Sequence, residues 1–354
     1  MILRRDQRLA MLAAVVLSSA AMFAALVAPS TVAGPYLAAF LILTAIPLGG
    51  SALLMLLHVS GGAWADPVRG VLEAMAAWAP SLLLFIAPLF VLAPHLYPWA
   101  APDAHASAYF LPSFVALRAF LIVVLWAVGG AILSSASERV PRGTRAGAGL
   151  RAGCAVGLIL YVLSMTGAAA DWFGSLHAHW HSSMFAVILI CAQGLAALAL
   201  LSLIASAVLP HDQRLLTDCG NLLLAFTLLH AYVSFSQFFI IWNGNVPDRT
   251  SWYVDRTRGW WLVAITFCAF TQFAIPFTMM LFRTLKSNPV AISIASCSIL
   301  IGTVVEASWI ILPSSTSPDI ASFIVLAVIT VALLAPTFWT FAQRAIQSRT
   351  GRPA

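Results

Sequence analysis

Apolar residues in this chain fall into blocks of about twenty, divided by short segments that hold proline and most of the charges. A hydrocarbon layer about 30 Å thick needs about twenty apolar helical residues to cross it. The pattern predicts ten such helices, at 9–28, 36–58, 79–97, 113–136, 152–171, 182–209, 217–242, 260–284, 289–312 and 319–342. Proline marks several joins (Pro35, Pro112, Pro210, Pro289, Pro313 and Pro318), where a helix loses a backbone donor and tends to stop. The third block holds Pro88 and Pro94 and is the least regular. The first block follows a charged start, MILRRDQR, as a signal peptide would. Its apolar run is longer than the roughly 7–15 residues of a signal core, so it reads as a retained helix.

Composition sharpens the class. Of 354 residues, 61% are hydrophobic and 8% charged, against about 25% charged in soluble domains. The expected fold is an all-α integral membrane protein, one polytopic domain over 1–354 with no soluble domain. The net charge of +6 comes from 17 arginines and one lysine, and their placement reports orientation rather than nucleic-acid binding. With both termini cytoplasmic, fourteen basic residues fall on the inner side, among them Arg69, Arg139, Arg142, Arg145 and Lys286. Three fall outside (Arg249, Arg256, Arg258), and Arg118 lies within a span. The five cysteines (Cys154, Cys191, Cys219, Cys268, Cys297) form no CxxC or CxxCH, which argues against a protein-held iron–sulfur cluster, structural zinc, covalent haem or a disulfide framework.

Polar groups in hydrocarbon need a partner or a wet cavity, so each is a functional candidate. Thr227, His230, Ser234 and Gln237 recur at spacings of 3, 4 and 3 on the seventh span, one face of a helix. Ser296, Thr303 and Glu306 repeat the idea on the ninth. Counting about 1.5 Å per residue puts His230, Gln193 and Gln272 near the midplane. The same count puts Arg118, Asp171 and Glu306 toward the outer side, and His58 and Asp218 toward the inner. These groups read either as a file of proton-exchanging side chains or as hydrogen bonds that glue a bundle, at around 0.6 kcal/mol each. Serine and threonine alone favour glue. Glu306, Arg118 and His230 favour function, because burying them unpaired costs several kcal/mol. Arg118 has two candidate partners, Glu306 and Asp171.

The segment ADWFGSLHAHWHSS, residues 170–183, sets His177, His179 and His181 beside Asp171 on the outer side. His177 and His181 have the i, i+4 spacing of a zinc pair, but no third ligand has a fixed spacing. Haem would need a second deep histidine facing His230. The readings that remain are a wet interfacial loop with belt tryptophans Trp172 and Trp180, or a proton entrance or exit next to Asp171.

The same segment resembles the D-W-x-x-S-L-x-x-H-W stretch of the quinone-binding subunit 2 of alternative complex III (quinol:cytochrome c oxidoreductase), in the NrfD-like (polysulfide-reductase membrane subunit) superfamily. DCGNLLLAFTLLHAYVSFSQFFIIWNGNVPDRTSWYVDR resembles that family's D-L-G-[KN]-L-L-x-A-F…A-Y…F-S-Q…I-W…N-x-P-E-E…W-Y-x-x-R stretch. GGSALLMLLHVSGGAW, LYPWA and YFLPSFVALRAF also fit, so the similarity runs in order from about Gly49 to Pro313. The resemblance implies two four-helix bundles, 36–171 and 182–312, flanked by peripheral helices at 9–28 and 319–342. It implies a bacterial inner-membrane subunit of a quinol-oxidising respiratory complex, partnered by iron–sulfur and haem subunits and the quinone pool. Such a subunit has no redox centre and no catalytic residue of its own, and quinone or quinol is its only implied ligand, held at unknown residues. Asp171, Trp172, Ser175, His179 and Trp180 match the first motif; Asp218, Gly220, Phe235, Ser236, Gln237, Asn245, Pro247, Trp252 and Tyr253 match the second.

Four departures stand out. His230 replaces a tryptophan, Gln272 stands where a histidine is common, Cys219 replaces leucine, and Asp248-Arg249 replaces a Glu-Glu pair. The swaps at 230 and 272 fit a histidine moved across a helix interface within one relay, or a path altered or lost. The proton-path candidates are thus His58, Arg118, Asp171, His179, Asp218, His230, Gln272 and Glu306. Two readings from other classes compete: a secondary transporter, since midplane polar groups suit alternating access, and an assembly subunit whose polar groups are all structural.

Overall fold

A computed structural model describes residues 5–61, 64, 66–101, 108–177, 180 and 182–314, and every element among them is helical. The helices are α1 (Arg5–Val27), α2 (Pro29–Ser60), α3 (Arg69–Trp78), α4 (Leu82–Phe85), α5 (Ala87–Leu96), α6 (Pro112–Glu138), α7 (Ala148–Ala168), α8 (Phe185–Val208), α9 (Gln213–Gly244), α10 (Pro247–Asp255), α11 (Trp260–Cys268), α12 (Ile275–Leu281), α13 (Arg283–Lys286) and α14 (Pro289–Ile311). Eight helical stretches among the described residues are long and apolar enough to cross a membrane. Nine of the ten expected blocks are helical, and the tenth, 319–342, lies outside the described residues.

Local chemistry accounts for several ends. Asp212 caps α9 by accepting the Leu215 amide at 3.0 Å, and Asn288 caps α14 by accepting Val290 and Ala291 at 2.9 and 3.3 Å. Pro112, Pro247 and Pro289 each open a helix, where a missing N–H costs nothing. The N-x-P motif has a direct meaning: Asn245 takes the left-handed conformation (φ 45°) that ends α9, and Pro247 starts α10.

Two expectations are corrected. Pro35 does not begin a helix, because α2 runs unbroken from Pro29 through Pro35 and Pro47. Neighbouring helices in membranes re-satisfy the carbonyls that a proline frees. The third crossing does not begin at 79 but at Asp66, so Arg69 and Glu73 belong to it. Their charges suggest a loop, yet they neutralise one another in the fold, as described below. Pro88 breaks this crossing, and the carbonyls of Leu84 and Phe85 are taken by the hydroxyls of Ser18 (2.6 Å) and Tyr36 (2.8 Å).

The two most enclosed spans, α2 and α8, pack against each other along their length. A Cβ on Gly49 would run into the Gln193 carbonyl, so this crossing brings backbone against backbone. Around that axis α2 packs on α3, α6 and α7, while α8 packs on α9 and α14, and α14 on α11 and α12. The α1 helix rests on α2, α4 and α5.

Candidate functional site

Four polar assemblies lie within this helical frame. We call the end that carries Arg69 and Arg142 the basic end, and the other the histidine-loop end.

Glu306 on α14 is the hub of the first assembly. Its Oε1 lies 3.1 Å from His230 Nε2 on α9, an ion-pair contact, and its Oε2 accepts from Gln272 Nε2 at 3.0 Å. The exposures are 6% for His230, 5% for Gln272 and 8% for Glu306, so the three side chains face one another rather than water. Gln272 sits in a π-helical segment, Ala269–Ala274, between α11 and α12. Such one-turn wide coils recur at functional sites, because the extra residue re-aims side chains. Gly302, one turn before Glu306, makes the approach possible: a Cβ there would collide with Gln272 Cγ and Thr271 Oγ1.

Residue counting separates Glu306 from His230 and Gln272 in depth, yet the fold brings the three side chains into contact. His230 and Gln272 therefore meet through the carboxylate. Chemically, a proton can reside on the imidazole or the carboxylate, whereas the amide can only orient its neighbour. The hydroxyls of Thr227, Ser234 and Ser296 are buried without a protein partner. Buried hydroxyls of this kind are sites where ordered water is held. Asp218 sits half-buried on α9, about three turns from His230, beside Cys219.

The second assembly pairs Arg118 on α6 with Asp171. Nε and Nη2 contact the two carboxylate oxygens at 2.5 and 2.8 Å, a bidentate fork. Asp171 is fully buried in another π-helical segment, Ala169–Phe173, which extends α7. Tyr109 and Phe114 cover the guanidinium at 4.0 and 4.9 Å. Of the two candidate partners for Arg118, Asp171 is the real one.

The third assembly, at the basic end, joins His58 to charged residues that the hydrophobic pattern assigns to loop. His58 Nε2 lies 2.9 Å from Ser137 Oγ, and Ser137 donates to Glu73 Oε1 at 2.7 Å. Since the hydroxyl proton is spent on Glu73, the imidazole donates to Ser137. Glu73 also takes Arg69 Nε at 3.1 Å and Arg142 Nη2 at 3.3 Å, and Arg69 reaches Asp66 at 3.2 Å and the Val140 carbonyl. The network ties α2, α3, α6 and the 139–143 turn together. A signal was available in the sequence: Asp66, Arg69 and Glu73 have i, i+3 and i, i+4 spacing.

The fourth assembly holds His177, the described histidine of the histidine loop. Arg256, 1% exposed, follows α10 and uses all five N–H groups. Nε and Nη2 donate to the Ile310 carbonyl at 3.2 and 2.6 Å, Nη2 to Ser314 Oγ at 2.6 Å, and Nη1 to the Trp252 carbonyl at 3.2 Å and to His177 Nε2 at 3.3 Å. Its counter-charge is the carbonyl end of α14 and the face of Trp252, 3.9 Å away. Burial pushes its pKa down to about 9, which leaves it charged at neutral pH. Trp252 stacks on Trp180 (4.6 Å) and meets Trp309 edge-on (5.4 Å), and Tyr253 accepts from Gln237 Nε2 at 3.1 Å. Burial pushes Tyr253 up to about 12, so it stays a neutral phenol. Trp172 and Trp180, expected in an interfacial belt, are instead 5% and 3% exposed. Gln237 is the buried residue of the F-S-Q triplet, while Phe235 is exposed. His179, a candidate from the sequence, lies outside the described residues.

His177 is an acceptor in this arrangement, taking the Arg256 N–H and facing Ser314 Oγ at 2.8 Å. Burial first and Arg256 second push its pKa down to about 4, with Asp255 opposing. With its pKa near that value the imidazole is neutral at pH 7. The unfolded chain binds this proton below about 6.5 and the folded chain resists it until about 4, so stability falls as pH drops through that window. Thermal unfolding in detergent at pH 7 and pH 5 should show that loss. His177→Gln, which keeps an acceptor but does not titrate, should show less of it; equal pH dependence in both proteins would rule this account out.

No protein-family model matches this sequence, and no curated protein matches it either.

Proposed function

We propose that this chain is a membrane subunit of a quinol-oxidising respiratory complex, contributing quinone contact, a transmembrane proton path or both, without a redox centre of its own. The single observation that carries the proton-path part is the Glu306–His230 contact between two apolar helices, with Gln272 on the second oxygen. An intramembrane carboxylate and imidazole are costly to bury and are kept where protons or ions move. The membership of a quinol-oxidising assembly rests on the resemblance to the quinone-binding subunit 2 of alternative complex III. On this reading the chain crosses a bacterial inner membrane ten times as two four-helix bundles with flanking helices, both termini in the cytoplasm. The packing of α2 with α3, α6 and α7, and of α8 with α9 and α14, supports the two-bundle arrangement.

A structural reading is favoured by one specific fact: both oxygens of Glu306 already have partners, as helix glue requires. Affinity purification of the tagged chain from native membranes separates the classes. The proposed function expects haem-bearing and iron–sulfur subunits in stoichiometric amounts. Recovery of the chain alone, with uptake of a solute by reconstituted vesicles, would instead make it a transporter.

A further inference from the structure

A small apolar cavity, about 150 Å³, opens between α5 and the first turns of α6. Ile86, Leu89, Val115, Ala119 and Trp172 form its buried floor, and Phe90, Pro94 and Pro112 stand at its rim. It lies beside the break at Ile86, where α4 ends and α5 starts with Pro88, while Pro94 stands inside α5. The outward residues beside the rim (Val91, Leu111, Phe114, Leu117) are exposed and apolar, so the mouth opens on a surface that a bilayer covers.

We infer that this cavity binds a single hydrocarbon chain of a membrane molecule. Three observations define that chemistry. The polar side-chain atoms of two of the three polar-tipped rings in its lining are spent within the protein: Tyr97 Oη donates to the Trp172 carbonyl at 3.0 Å and Trp99 Nε1 to Ser175 Oγ at 3.0 Å. A headgroup carbonyl or hydroxyl would find no donor from them, and its desolvation would go uncompensated. The volume lies below the roughly 300 Å³ at which sites for whole small molecules begin, so the cavity takes part of a ligand whose remainder lies in the bilayer. Apolar cavities near this size stay dry and accept hydrocarbon. The walls are aromatic and aliphatic, and Trp172 links them to Asp171, its neighbour in the chain, so a chain seated here packs against the support of the Arg118–Asp171 pair. A phospholipid acyl chain and an isoprenoid tail share this chemistry. The inference does not depend on the proposed function, because it requires neither electron nor proton transfer.

The test uses the full chain in phosphatidylcholine nanodiscs with two photoreactive probes: a phosphatidylcholine bearing a diazirine on its acyl chain, and a diazirine-bearing polyprenol. Adducts are mapped by mass spectrometry and compared with those on the lipid-facing side of α9 around Leu228 and Phe235. The expected result is at least a several-fold enrichment of adducts on 86–93 and 112–119. Ala119→Phe, which fills the floor, should abolish that enrichment and leave the α9 adducts unchanged. Ala116→Leu at the lining provides a milder variant if Ala119→Phe fails to fold. Labelling by the acyl probe alone names a phospholipid, by the polyprenol alone an isoprenoid, and by both a site that accepts either. Adducts no denser than on α9, or unchanged in both filled variants, would overturn the inference.

Discussion

Asp171→Ala should lower the stability of the chain by about 3 kcal/mol or more, one of the largest effects expected of any single substitution here. Breaking a buried ion pair costs about 3–5 kcal/mol, because the remaining charge is left uncompensated. Asp171 is fully enclosed, while the Arg118 side chain keeps 18% exposure, which places the cost at the lower end. Tyr109 and Phe114 would still face the guanidinium, but ring faces recover only about 0.5–2 kcal/mol. The double change Arg118→Met with Asp171→Leu should recover much of the loss, since an apolar pair of similar volume often replaces a buried salt bridge without penalty. Denaturant unfolding in mixed micelles, read as a double-mutant cycle, measures the coupling. A loss under about 1 kcal/mol for Asp171→Ala, the range of solvent-exposed pairs, would mean that the pair is screened by solvent.

Glu306→Gln should reduce quinol-linked proton movement in the assembled complex by roughly 100-fold or more, the scale at which a positioned acid–base group contributes. Electron transfer should persist, because no redox centre is assigned to this chain. His230→Phe should have a similar effect, since it removes the partner with which Glu306 exchanges a proton. The double change His230→Trp with Gln272→His restores the residues of the resembled family at both positions. It should keep proton movement if the histidine has only crossed a helix interface, because either position contacts the same carboxylate. Proton release and quinol oxidation are measured together in sealed vesicles. Loss of stability alone, with the proton-to-electron ratio unchanged in all three variants, would leave the cluster as helix glue.

Helices are legible in the sequence wherever apolar runs are clean, as in α6, α8 and α14. They are obscured where charges pair at short range. Arg69 and Glu73 look like loop residues one at a time, but each is the other's solvation, and Arg142 and Ser137 complete the shell from sixty or more residues away. The same limit applies to the histidine loop. Its three histidines draw attention by their density, yet the residue that organises this end is Arg256, which the sequence shows only as the last residue of the W-Y-x-x-R match and does not mark as buried.

What the sequence by itself determined is the class and the inventory: a multi-pass helical membrane chain, the prolines at its joins, and a short roster of polar side chains that hydrocarbon must not leave alone. These follow from local rules, because a helix in a membrane satisfies its own backbone and the length of an apolar run is counted along the chain. Only the tertiary structure decided who pairs with whom. Arg118 chose Asp171, Glu306 came into contact with His230 and Gln272, and His177 became an acceptor for Arg256. Such choices depend on the tilt and register of helices far apart in sequence. They are set by small residues such as Gly49 and Gly302 and by π-helical turns at Asp171 and Gln272, and local hydrophobicity does not encode them.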